Sequence, residues 1–194
     1  MKKTLLLGAL TVLMFTQCAE EKDPFIITND TIGHLEKSMM MKQLDSLFAQ
    51  DSIVKLNPIQ DAIGTQGEVE IYEKGGAKLL LISPEDDSDP NSLIYNVQIF
   101  DERYKTDKGL SISSTFKDIK DNYSISGIQT TVGIKQGINS LVVFLNESNV
   151  YLTIDRNEIP ENLRYDPSAK IEPSQIPDET KFKYFMLSWE HNEE

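Results

Sequence analysis

Residue types able to do chemistry are sparse in this chain and do not gather into a familiar site. The densest run is Glu85, Asp86, Asp87, Ser88, Asp89, Pro90, Asn91. Asp87, Asp89 and Asn91 alternate in it as the first three oxygen ligands of a calcium loop do. Ser92 stands where such a loop needs glycine, and Gln98 where it needs a bidentate glutamate. A weak cation site and an ordinary solvated loop both fit. The two histidines, His34 and His191, have no Cys or His at metal-ligand spacing and read as surface residues. Serines are plentiful, but no G-x-S-x-G elbow presents one as a nucleophile. Gly75 and Gly76 turn a hairpin and are not followed by the helix and Lys-Ser of a phosphate loop. Trp189 and the tyrosines are the side chains available to stack on a sugar, and Trp189 also reads as core. No catalytic residue and no cofactor is expected from these patterns, and no binding residue stands out.

The elements that would position such groups alternate between short helices and strands. Met40, Leu44, Leu47 and Phe48 fall at i, i+4, i+7 and i+8, one apolar stripe. Phe116, Ile119 and Tyr123 repeat the theme, with Thr115 as cap and Asp118 completing a capping pair. Glu68 to Tyr72 and Lys78 to Ser83 predict a hairpin around Lys74, Gly75 and Gly76. Ser92 to Phe100 predicts a third strand, and Ser140 to Leu145 with Val150 to Asp155 a second hairpin. Lys183 to Trp189 predicts the closing strand. A shift of 75 residues superposes Leu35 on Leu110, Leu44 on Ile119, Phe48 on Tyr123 and Ile53 on Ile128. These patterns predict an α+β fold of two tandem helix-plus-antiparallel-sheet repeats, over 25–107 and 108–194, with both helices on one face of the sheet. Pro160, Pro167, Pro173 and Pro177 are half of the eight prolines. They mark 159–180 as an extended connection, read either as a crossover to the last strand or as a partner-binding arm.

The first 18 residues carry an address. Lys2 and Lys3, an apolar run from Leu5 to Phe15, then Thr16, Gln17 and the sole cysteine, Cys18, follow the layout of a secretory signal too short to anchor as a bilayer span. The segment resembles a bacterial lipoprotein signal. That resemblance implies residues 1–17 as the signal, diacylglycerol (palmitate-type) lipidation of Cys18, and 18–24 as a tether. A single cysteine agrees with it, since disulfides need cysteines in pairs. The runs at Leu79–Ile82 and Leu141–Leu145 are too short to span a bilayer. Glu20, Glu21 and Asp23 resemble the acidic export tags that send some Gram-negative lipoproteins to the outer face. Loss of Lys2 and Lys3 with the signal takes the net charge from −12 to −14, which argues against a nucleic-acid partner and for repulsion from anionic headgroups.

The layout of Gly33 to Phe48 and Gly109 to Tyr123, each a short helical element before a sheet, is similar to BamE-type assembly lipoproteins and to β-lactamase inhibitor proteins built from tandem repeats. The runs EIYEKGGAKLLLISP (Glu70 to Pro84) and GLSISSTFKDIKDNYSIS (Gly109 to Ser126) resemble uncharacterised lipoproteins of Gram-negative envelopes. These resemblances imply a lipid-anchored protein of the cell envelope, at the outer membrane. The expected role is a non-catalytic interaction or assembly module with a protein partner in the envelope. The alternative is a small-ligand or glycan binder, and a weak hydrolase is the third choice.

Overall fold

Alternation of apolar and polar residues, far more than helical periodicity, sets the architecture. The computed structural model describes residues 23–56, 67–89, 91–132, 138–166 and 168–191. The signal, Cys18 and the first residues of the tether lie outside that set. Three short strands, β1 (Ile26–Ile27), β2 (Thr31–Ile32) and β3 (Leu35–Glu36), come first. A 3-10 turn over Met41–Gln43 then runs into helix α1 (Leu44–Leu47). Strands β4 (Ser52–Lys55), β5 (Val69–Tyr72), β6 (Lys78–Pro84), β7 (Ile94–Ile99) and β8 (Lys105–Thr106) lead to helix α2 (Phe116–Asn122). After it come β9 (Ile125–Val132), β10 (Ile138–Leu145), β11 (Val150–Asp155) and β12 (Tyr184–Ser188).

Eight strands form one antiparallel sheet in the order β4-β5-β6-β7-β12-β11-β10-β9. Two meanders therefore meet along their last strands, where Phe185 faces Ile99 and Leu187 faces Val97. A second, four-stranded sheet runs β3-β2-β1-β8, with β1 and β8 parallel.

This overturns the expected α+β class and its two helix-plus-sheet repeats. Over the described residues the protein is mostly β, its two helices there are four and seven residues long, and a separate small sheet ties the segment before α1 to the segment before α2. Isolated helices shorter than about 12 residues are marginal, so stripes of three or four apolar residues cannot organise the fold. They form one turn in α1 and about two in α2, and these fill gaps over the sheet. The extended segments dominate because they recruit one another across long separations.

Inner-face positions make the core: Ile71, Leu80, Val97, Leu152, Val143 and Leu187 are each fully buried, and each such side chain contributes roughly 1.5–3 kcal/mol. Leu44, Phe116 and Ile119 bring both helices into the same cluster. The expected capping pair of α2 is present. The Thr115 N–H donates to the Asp118 carboxylate at 2.7 Å and its hydroxyl donates to the same oxygen at 3.1 Å.

The proline-rich connection does return the chain to the neighbouring strand, but it does more than span a surface. Ile159, Ile171 and Ile176 are buried in the core. The carbonyls of Thr180 and Asp178 accept the N–H groups of Phe116 and Lys117 at 2.9 and 3.0 Å. Lys120 pairs with Asp178. Two of the donors that every helix start leaves unpaired are thus satisfied by the connection. Among the described residues no helix is long and apolar enough to cross a membrane.

Candidate functional site: an aromatic groove on the outer sheet face

The pleat that buries Val143 and Leu145 must turn Phe144 and Val142 to the opposite face. On β11 the same alternation turns Tyr151 outward. Phe144 and Tyr151 are direct cross-strand partners, and their rings stack at 5.9 Å with 27° between planes. The register shift where Ser83 pairs with Asn96 but Pro84 with Ile94 leaves Tyr95 at an irregularity of β7, and Tyr95 is 40% exposed. These three rings line a groove of about 800 Å³ at the β10–β11 turn end of the sheet, with Ser126, Ser188 and Asn149 among its polar lining and Lys37 and Glu190 as its charges.

Distant backbone holds the groove in place. The β10–β11 turn, in which Glu147 adopts a φ of 57°, is clamped by Asn29 from the small sheet. Asn29 Nδ2 donates to the Glu147 carbonyl at 2.9 Å, its Oδ1 accepts the Asn149 N–H at 3.0 Å, and its carbonyl accepts the Trp189 Nε1–H at 2.7 Å. The Trp189 N–H in turn donates to the Tyr95 carbonyl at 2.7 Å, fixing the bulged segment.

One polar group beside the rings is unspent. Asn96 Nδ2 donates to the Tyr151 hydroxyl at 2.9 Å, while Asn96 Oδ1 is buried with no hydrogen-bond partner among the described residues. An unpaired buried acceptor costs about 1–3 kcal/mol. Burial raises the Tyr151 pKa, more than the Asn96 contact lowers it, so the phenol stays protonated and able to donate. A smaller cleft of about 360 Å³ around Thr106, Lys108 and Tyr123 differs on this point. There Thr106 Oγ1 and the Tyr123 hydroxyl share a 2.6 Å hydrogen bond, and the Lys108 ammonium caps the Asn122 carbonyl at 2.9 Å. Its polar groups satisfy one another.

The residues singled out in the sequence fall elsewhere. Cys18 lies outside the described residues. Asp87, Asp89 and Asn91 sit on the exposed β6–β7 loop, and neighbours use the side-chain oxygens of Asp89 and Asn91. Asp89 Oδ1 accepts the Asn91 N–H at 2.8 Å, and Asn91 Oδ1 accepts from Lys42 Nζ at 2.9 Å. Among the described residues no group of three or more His, Cys, Asp or Glu is placed to hold a metal ion. His34 is exposed, and His191 Nε2–H donates to the Ile94 carbonyl at 2.9 Å. Trp189 is fully buried and so cannot meet a ligand. Tyr95 and Tyr151 were among the sugar-stacking candidates. Phe144 was not, although the alternation of Leu141 to Leu145 already places it opposite Val143.

No protein-family model and no curated protein matches the chain. Among solved structures it is similar to the uncharacterised protein yfeY from Escherichia coli, with a TM-score of 0.49 and 13% identity over 84% of this chain and 99% of that one.

Proposed function

We propose that this is a lipid-anchored protein of the cell envelope that acts by binding, and that the groove receives a saccharide. The anchor is Cys18, on the strength of the signal layout, and two or three acyl chains would hold the protein on a membrane without a spanning helix. The single observation that carries the ligand reading is the concave, aromatic groove lined by Phe144, Tyr151 and Tyr95. Sugar rings present apolar C–H faces suited to Phe144, Tyr151 and Tyr95, and hydroxyls suited to Asn149 and Ser188. The net charge of −12 favours a saccharide without acidic groups.

Two measurements test this. In cells, Cys18→Ser shifts the full chain from the membrane fraction to the soluble fraction, and mass spectrometry of the wild type finds the lipid on Cys18. An unmodified, soluble wild type overturns the anchor. In vitro, calorimetry against a panel of neutral and amino-bearing envelope oligosaccharides finds a binder, and Tyr151→Ala weakens it about 5- to 30-fold, the equivalent of about 1–2 kcal/mol. No binder, or one indifferent to Tyr151→Ala and Phe144→Ala, overturns the groove reading. A second reading, a protein-interaction module, is favoured by a different observation: an uncharged strand at one edge of the sheet.

A further inference from the structure

Among the described residues the eight-stranded sheet ends in β4 on one side and β9 on the other, and the two edges differ. Open edges offer unpaired main-chain donors and acceptors, and monomeric proteins blunt them with short length, charge or proline. Edge β4 is four residues long and ends in Lys55, whose ammonium pairs with Asp45 at 2.8 Å. Edge β9 runs eight residues, Ile125–Val132, with no charge and no proline. Its neighbour β10 carries none either, and from Asp121 to Glu147 the one charged residue between them is Lys135. In a chain of net charge −12 this hairpin is free of acidic residues. Ser126, Gln129 and Thr131 are exposed along β9.

We propose that β9 pairs antiparallel with β9 of a second copy, joining two eight-stranded sheets edge to edge. A second copy fits because self-pairing sets no like charges opposite one another along the strand. Repulsion between two acidic chains is also weakest where neither presents acid. Antiparallel pairing of identical strands places the two-fold axis perpendicular to the sheet, so the same face of both copies lies on the same side. The two grooves then lie on one side of the joined sheet, towards opposite ends of the seam. Phe144 is paired with Gly127 of β9, one inter-strand spacing of about 4.8 Å from the edge. Gly127 has open space where a side chain would stand. Two sets of rings are thereby carried on the same face of one joined sheet. The pairing itself does not depend on what the groove binds.

The test is sedimentation of the full chain in detergent solution, across a range of concentrations. Wild type is expected to dimerise. Gln129→Lys and Gln129→Glu each weaken self-association about tenfold by placing like charges near the two-fold axis, and an equimolar mixture of the two variants restores a mixed dimer. Both substitutions are at an exposed edge position, and circular dichroism confirms the fold. A wild type that stays monomeric throughout overturns the proposal, as would happen if the edge served a strand from another protein. A dimer that persists in both single variants overturns it too, since the interface then lies elsewhere. Saccharide binding by a monomeric wild type would leave the groove reading standing while removing this one.

Discussion

The two faces of the eight-stranded sheet are built from the same strands, often from adjacent residues, and do different work. On β11, Leu152 is fully buried while its neighbour Tyr151 is half-buried and donates its stack and hydroxyl to the groove wall. On β12, Phe185 and Leu187 are fully buried and Met186 between them is not. The inner face is satisfied by apolar contact with the helices and the proline-rich connection. The outer face keeps aromatic rings, amides and the Lys78–Glu70 ion pair at 2.5 Å. Stability is concentrated on one side, and the other is free to carry recognition.

That division can be broken in steps of decreasing size. Phe185→Ala, at the centre of the inner face, should cost about 3–5 kcal/mol by opening a cavity, read as a fall in the urea midpoint. Tyr151→Ala, one face over, should cost about 1 kcal/mol, from the stack and one hydrogen bond, while abolishing most saccharide binding. Equal losses of stability from the two would refute the division. The smallest effect is electrostatic. The hydrogen bond from Lys78, ahead of that from Tyr72, holds the Glu70 carboxyl below its ordinary value of 4.5 despite some burial. Its folded pKa is therefore depressed. Its contribution is fully present above that ordinary value and is lost as pH falls below it and through the folded value. Glu70→Gln should destabilise modestly at neutral pH, and the gap to wild type should close on titration below pH 4.5. A gap unchanged by acid would remove the ion pair from the account.

Local features were the legible ones. The Lys74–Gly76 turn is present, with Gly75 at a φ of 71°, and the strands flanking it begin and end within about a residue of their predicted limits. Thr115 and Asp118 announce α2 because a capping pair is a contact within four residues. β9 was not named as a strand, since Gly127, Gln129 and the threonines mask its alternation. Thr31 to Leu35 reads in the sequence as a small apolar strand or turn, where β2 and β3 lie, but two-residue strands carry no period from which a separate sheet could be expected. Tyr95, Phe144 and Tyr151 could not be grouped in advance, because Phe144 and Tyr151 come together only through the β10–β11 register and Tyr95 only through the irregularity in β7.

Composition and order of residues alone determined the acidic balance, the inward and outward alternation of most strands, the cap of α2 and the motif at Cys18 on which the anchor is proposed. These are one-dimensional properties, written within a few residues of where they act. The pairing of β7 with β12, which joins the two meanders, and the clamp of Asn29 on a turn about 120 residues away, were decided only in three dimensions. Many strands of similar apolarity compete for the same neighbours, and which pairs win depends on how every side chain on both faces packs at once.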